Sequence, residues 1–187
     1  EPIVEITQIK GDSEIHPDLA KNDSFADFEK YPYYIQRFET GYQAAKGDYI
    51  RPALKRGLSL GVALGVNPYQ FGVIGSTDSH TALSSAEEDN FHGKLATDSI
   101  PERKSQRRMT SSGSSGWAMS ASGLAAVWAE ENTRKAILAA MKRREVYATT
   151  GPRIGVEFYG GWELDIANMY NADISIRDID GVVPMGG

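Results

Sequence analysis

The fold class is constrained most by a helical pattern that runs directly into a short apolar strand pattern. Apolar and small residues recur at helical spacing over residues 48–65, and Asn67-Pro68 ends that run. The following segment, Phe71–Gly75, is continuously apolar and is typical of a strand that is buried on both faces. A helix followed by a buried strand predicts an α/β fold.

Weaker patterns extend this α/β reading toward both ends of the chain. We expect residues 1–150 to form one α/β unit, interrupted by a long irregular loop at about 81–122. A structureless segment of that length is usually a functional loop or a disordered one. We expect residues 151–187 to begin a β-rich extension. The individual predictions are strands at Ile3–Ile9, Glu145–Thr149, Ile154–Tyr159 and Ile174–Arg177, a short helix around Phe25–Tyr31, and a helix that Asn132 caps.

Composition excludes several classes of function. The chain has 187 residues, a formal net charge of -5 and no cysteine. An acidic chain lacks the broad positive field of a nucleic-acid binder, and the absence of cysteine excludes disulfides and thiolate sites. No apolar run of about 18 residues exists to span a membrane. The chain starts at Glu1 and ends in a loop-like segment, Gly181–Gly187, so we expect a truncated piece of a longer or processed protein.

The segment that carries chemistry is Gly75-Ser76-Thr77-Asp78-Ser79-His80, directly after the predicted buried strand. Residues two apart on an extended backbone point to the same side, so Asp78 and His80 would project together beyond the strand. A carboxylate and an imidazole suit a divalent metal such as Mn, Zn or Fe. The alternative is a hydrogen-bonded turn that binds nothing.

Four further residues are candidates for the surroundings of that site. Glu14 and His16 follow the first strand and could approach the metal, although an exposed loop is the commoner outcome for such residues. Lys94 could contact an anionic substrate, or simply lie in solvent. Arg153 could line the site or brace a turn.

Other polar groups are weaker candidates. We do not expect His92 to be a ligand, and we interpret it as a loop residue that stacks on a neighbour. A basic cluster could form a lid that clamps phosphate or sulfate, but a solvated charge run is commoner; its arginines are Arg103, Arg107 and Arg108. Serine-nucleophile chemistry is excluded, because no nucleophile elbow with a matching His–acid pair is present.

Several stretches of the chain resemble known families. Phe71–Thr81 resembles the last metal-binding strand of the polymerase-and-histidinol-phosphatase (PHP) superfamily. A resemblance to the domain of unknown function 3604 family covers nearly the whole chain. It is carried by Val4–Glu14, Asp89–Phe91 with Gly93-Lys94, Ser122–Arg134, Arg143–Ile154, Phe158–Trp162 and Gly181–Gly187.

The resemblance implies a partial, distorted (β/α) barrel of PHP type, of which residues 1–150 would be the C-terminal portion. It also implies a metal cluster and hydrolysis by a metal-activated water, acting on a small and anionic substrate in a phosphoesterase-like reaction. Asp78 and His80 match the family's ligand positions, whereas its usual His-x-His strand is absent. We therefore expect an upstream segment of the same protein to complete the site, and the chain alone to be inactive.

Two alternatives to a phosphoesterase remain open. The chain could be a non-catalytic binding module on a hydrolase-like scaffold, or it could cleave sulfate esters or amides with the same metal chemistry. Members of the family often carry export signals, so we expect a periplasmic location.

Overall fold

The computed structural model describes residues 3–27, 30, 33–34, 38, 40–82, 94–96, 100, 102, 123–162 and 175–187. Within these residues lie strands β1 (Ile3–Gln8), β2 (Gly11–Asp12), β3 (Gly72–Gly75), β4 (Leu124–Val127), β5 (Val146–Thr149), β6 (Tyr159–Gly160) and β7 (Val183–Pro184), and helices α1 (Ile50–Leu64) and α2 (Arg134–Lys142). Short 3₁₀ turns occur at Pro17–Leu19, Lys46–Asp48 and Ile176–Asp178.

The sheet that positions the candidate site has the strand order β2-β1-β3. β1 and β3 are parallel, with Val4 opposite Val73, and α1 provides the crossover that a parallel pair requires. Parallel strands end at the same edge of the sheet. The residues that follow β1 and β3, among them Lys10 and Asp78, therefore meet at that edge.

A second, antiparallel pair lies against this sheet. β4 and β5 pair with Leu124 opposite Thr149. A Cβ atom on Gly75 would lie 2.8 Å from the carbonyl oxygen of Leu124 and 2.9 Å from that of Thr149. A Cβ on Gly123 would lie 2.7 Å from the carbonyl oxygen of Thr7. Glycine is required at both positions because the backbones of the two sheets approach too closely for any side chain.

Helix α1 confirms the helical pattern of residues 48–65. Its last turn ends at Gly65, whose φ of 73° is the left-handed conformation common at helix ends. Gly57 is buried, and a Cβ there would lie 2.9 Å from the Cβ of Tyr69. The apolar stripe is wider than the buried face, however, because the side chains of Leu58 and Val62 are 67% and 91% exposed.

Helix α2 begins one residue later than predicted. Thr133, rather than Asn132, is the N-cap, and its side chain accepts a hydrogen bond from the backbone N–H of Ala136. Ala140 is fully buried, so it marks the face of α2 that packs against the rest of the chain.

The predicted strand at Ile154–Tyr159 is wrong for most of its length, because residues 153–158 have no regular structure. Side chains take up the backbone groups that a neighbouring strand would otherwise bind. The Tyr147 hydroxyl donates to the carbonyl of Ile154 and accepts from the N–H of Val156, and the Trp128 indole donates to the carbonyl of Val156. Pairing starts only at β6, which is antiparallel to β7.

Two other local predictions are only partly covered by the described residues. Ile174 lies outside them, and Ile176–Asp178 forms a 3₁₀ turn where the end of a strand was predicted. The predicted short helix around Phe25–Tyr31 appears as a turn over residues 24–27, with residues 28–29 and 31 outside the described set. Most of the predicted loop at 81–122 is also outside it.

The large-scale architecture agrees with a mixed α/β fold. The strands within the described ranges form three small sheets and no closed barrel, so the distorted barrel stays a prediction. The C-terminal residues contact the turn between α2 and β5, where the Arg144 side chain donates to the carbonyl oxygen of Gly186 at 2.8 Å. Neither helix of the described residues has the length and apolar character needed to cross a membrane.

Candidate functional site

The candidate site begins at Ser76, where three segments of backbone meet. The Ser76 N–H donates to the carbonyl of Thr7 at 3.0 Å, and the Ser76 carbonyl accepts from the N–H of Gly123 at 2.9 Å. The Ser76 hydroxyl also donates to Glu5 Oε2 at 2.6 Å. Glu5 therefore holds the start of the loop that carries Asp78.

Beyond this root the loop departs from an extended strand. Asp78 has φ of 47°, in the left-handed region that aspartate tolerates better than most residues. The backbone N–H of Ser79 donates to Thr77 Oγ1 at 3.2 Å, and the N–H of His80 donates to the carbonyl of Lys94 at 2.8 Å. A turn, rather than strand alternation, thus brings Asp78 and His80 to the same side.

The side chains of Asp78 and His80 face each other. His80 Nε2 lies 3.2 Å from Asp78 Oδ1. Two lysines complete the group. Lys94 Nζ donates to Asp78 Oδ2 at 2.6 Å and lies 3.1 Å from His80 Nε2, and Lys10 Nζ is paired with the same Oδ2. We call these four residues the Asp78 cluster.

The two lysines control the ionisation of Asp78. Partial burial opposes the charged carboxylate, but hydrogen bonds from Lys10 and Lys94 outweigh that effect and lower the pKa of Asp78 from 3.8 to about 2. Asp78 is therefore an anion across the physiological range. Lys94 is not the solvent-exposed lysine that its type favours, since only 13% of its side chain is exposed.

The geometry of the cluster fits a shared cation. Metal ligands at bond lengths near 2.1 Å stand about 3.0–3.4 Å from each other, and the 3.2 Å between Oδ1 and Nε2 lies in that range. Lys94 Nζ can only donate to His80 Nε2, and in the tautomer whose Nε2 accepts this bond the carboxylate and the imidazole present lone pairs to the same space. In the other tautomer Nε2–H donates to Asp78 Oδ1. The first tautomer is the one that suits a shared cation.

The fit is incomplete within the described ranges, which contain no group of three or more His, Cys, Asp or Glu side chains placed to hold a metal. Asp78 and His80 supply two donors, and a metal centre needs at least one or two more.

Glu14 lies in a separate ion-pair network. Its Oε1 accepts from Arg51 Nε at 3.2 Å, and the other arm of Arg51 donates to Asp23 Oδ2 at 2.6 Å. The backbone N–H of Arg51 also donates to the carbonyl of Glu14. Glu14 therefore fastens the start of α1 to the loop after β2.

His16 lines a cavity of about 350 Å³ that we call the tyrosine pocket. Its ring centroid lies 6.0 Å from that of Tyr42 and 5.9 Å from that of Tyr49, and its Nδ1 accepts from the N–H of Asp18. The pocket's other walls include Tyr34, Lys30 and Asp12. Lys10 also lines it, so one residue is shared with the Asp78 cluster.

The remaining candidates are placed less informatively. Arg153 is exposed at the start of the irregular segment 153–158. His92 and the basic cluster of the predicted loop lie outside the described residues. Lys10 was not predicted as part of the site. The available signal was that it follows the predicted strand at Ile3–Ile9, and the structure pairs that strand in parallel with the strand before Asp78.

Comparison with known proteins identifies the family. The family described as "Protein of unknown function (DUF3604)" matches residues 1–187, and the chain belongs to it. No curated protein and no solved structure matches the chain. The resemblance to DUF3604 seen in the sequence is thereby confirmed.

Proposed function

We propose that this member of the DUF3604 family is a metal-dependent hydrolase, phosphoesterase-like, in which Asp78 and His80 hold one divalent cation. The observation that carries the proposal is the 3.2 Å between Asp78 Oδ1 and His80 Nε2, which is the separation of two ligands on one cation. The low pKa of Asp78 supports it, because a ligand carboxylate must be ionised.

Such a cation, when bound, supplies Lewis acidity and lowers the pKa of a water molecule toward neutrality. Mn, Zn and Fe suit a carboxylate–imidazole pair. The PHP resemblance implies further ligands on other segments of the protein, including an upstream His-x-His strand.

The lysines favour an anionic substrate. Two ammonium groups face a single carboxylate in the Asp78 cluster, so its charge is positive within a chain whose net charge is -5. With a cation held by Asp78 and His80, the ammonium groups of Lys10 and Lys94 would be able to donate to the oxygens of a phosphate or sulfate ester. A sulfate ester therefore remains the second candidate substrate, whereas a neutral amide gains nothing from this charge.

A non-catalytic module has one observation in its favour. Lys10 and Lys94 already satisfy Asp78 Oδ2, which is what a purely structural ion-pair network would look like.

Titration of the longest expressed form of the protein, which includes the proposed upstream segment, with Mn²⁺, followed by the electron paramagnetic resonance signal of the free ion, separates the two cases. We expect Asp78→Asn and His80→Gln each to weaken binding by at least about 100-fold, the upper end of what loss of a supporting group costs. Asp180→Asn, at an exposed aspartate, is the matched control and should bind like the parent. Equal Mn²⁺ affinity in all four proteins would refute the metal proposal. Hydrolysis of p-nitrophenyl phosphate and p-nitrophenyl sulfate by the longest expressed form of the protein then ranks the two esters.

A further inference from the structure

The tyrosine pocket lies beside the Asp78 cluster, with Lys10 common to both. We propose that it binds a monosaccharide ring, and that the substrate is a sugar whose phosphate or sulfate ester extends to the Asp78 cluster. The first half of this proposal is independent of the hydrolase function, and the second half rests on it.

The size of the pocket suits one small ring. Its volume of about 350 Å³ is at the lower end for ligand sites, and it is open to solvent on one side, so it has room for a single ring that rests against its walls.

The aromatic walls favour a puckered ring over a flat one. Tyr34 and Tyr42 meet at 68°, Tyr42 and Tyr49 at 67°, and His16 and Tyr42 at 64°. Walls tilted in this way form no slot of parallel faces into which a nucleobase or phenyl ring would stack. A pyranose instead presents C–H groups in several directions and can contact walls at such angles.

The polar groups of the pocket match hydroxyl groups. Lys30 Nζ donates to Asp12 Oδ2 at 2.7 Å, and the Tyr42 hydroxyl donates to Asp48 Oδ2 at 2.7 Å. The pocket therefore offers donors and acceptors side by side, which is what a hydroxyl needs because it both donates and accepts.

Charge balance excludes the simpler ionic ligands. Lys30 Nζ lies 5.9 Å from the centroid of the Tyr49 ring, so the chain's own ammonium already makes the cation–π contact that a cationic ligand would make with Tyr49. The carboxylates of Asp12 and Asp48 are balanced by the ammonium groups of Lys10 and Lys30, so the pocket has no excess charge for an added ion to neutralise. Burial raises the pKa of Asp12 and outweighs its hydrogen bond from Lys30, so this part of the pocket disfavours charged groups. A neutral polyol ring is the class that remains.

Lys10 connects the two sites. It lines the tyrosine pocket and is paired with Asp78, so a ring in the pocket lies next to the cluster that favours an anion. A sugar carrying one ester group would thus fill both.

Saturation-transfer NMR on the full chain, in EDTA so that metal plays no part, tests the first half. The probes are the methyl glycosides of glucose, galactose and mannose, with phenyl phosphate and uridine as flat-ring competitors. We expect at least one glycoside to bind, at least ten-fold weaker binding in Tyr34→Ala, and unchanged binding in Tyr159→Ala. Tyr34 is 41% exposed, so its removal leaves the fold intact, and Tyr159 lies in β6 outside the pocket. Binding of only the flat probes, of no probe, or of a glycoside equally well to both variants overturns the sugar assignment.

The second half is tested with glucose 6-phosphate, or the 6-phosphate of whichever sugar binds. It should bind at least ten-fold more tightly than the neutral glycoside, and Lys94→Gln should remove that advantage while leaving neutral binding unchanged. If Lys94→Gln keeps the tighter binding of the sugar phosphate both in EDTA and in Mn²⁺, the connection between the sites is refuted. If a glycoside binds but Asp78→Asn leaves the Mn²⁺ affinity unchanged, the hydrolase proposal alone is refuted and the sugar assignment stands.

Discussion

Replacing Asp78 with asparagine isolates the charge of the Asp78 cluster, because asparagine has nearly the same shape and also tolerates the left-handed conformation at φ 47°. The fall in the pKa of Asp78 from 3.8 to about 2 corresponds to about 2 kcal/mol of stabilisation, at 1.36 kcal/mol per unit. Solvent reaches 21% of the side chain and screens part of this, so we expect Asp78→Asn to lower the free energy of unfolding by about 1–2 kcal/mol at pH 7.

The pH dependence of that loss has a definite sign. A carboxylate whose pKa is lower in the folded state stabilises the fold above its unfolded pKa, and the stabilisation disappears as pH falls through the folded pKa. The difference in unfolding free energy between the parent and Asp78→Asn should therefore be full above pH 4 and shrink toward zero near pH 2. Urea denaturation from pH 7 to pH 2 measures it, with Asp180→Asn as the control. A difference of the same size at both ends of the range would show that charge is not its cause.

Two further predictions concern the frame of the site and its nearest helix. Gly75→Ala should destabilise the chain by about 2–3 kcal/mol in urea denaturation, since its Cβ would lie within 2.9 Å of backbone atoms of β4 and β5. Gly155→Ala, with nothing within 4 Å of its Cβ, should be nearly neutral, and equal effects would contradict the close approach of the sheets. Thr133→Ala should lower the free energy of unfolding by about 1 kcal/mol because it removes the cap of α2, and Asn132→Ala should lower it clearly less. Thermal unfolding measures both, and a lower midpoint for Asn132→Ala than for Thr133→Ala would show that Asn132 is the cap.

Local sequence patterns predict the elements whose own residues carry a clear apolar pattern. α1, α2, β1, β3 and β5 all have periodic or continuous apolar runs, and each was predicted to within about two residues. β4 was missed because Leu124-Ala125-Ala126-Val127 contains two alanines, which are poor strand formers, and follows a Ser/Gly-rich stretch. Its strand state comes from pairing with β5, which no local pattern reveals. The error at Ile154–Tyr159 has the same origin, since the Tyr147 hydroxyl takes the place of a strand partner.

The candidate site was predictable only in part for a similar reason. The spacing of Asp78 and His80 indicated that they act together, although the turn that joins them is not the extended backbone that the argument assumed. The lysines that set the charge of the site lie 68 residues before and 16 residues after Asp78. Among the described residues, the parallel pairing of β1 with β3 and a backbone hydrogen bond at His80 place them there.

The chemistry of the Asp78 cluster follows from which group lies between its two acceptors. If Lys94 bridges Asp78 and His80, the imidazole must keep its lone pair on Nε2 and its proton on Nδ1. If a divalent cation bridges them, the same tautomer is required, because a metal binds the unprotonated nitrogen. The ammonium and the metal thus require the same tautomer of His80 and would compete for the lone pair of its Nε2, since Lys94 is bonded to Oδ2 of Asp78 whereas Oδ1 faces the imidazole. A bound metal would displace Lys94 from Nε2, and Lys94 would remain tied to His80 through its backbone carbonyl. The lysine is thereby kept within reach of any anion that the cation attracts, which couples the metal proposal to the substrate charge.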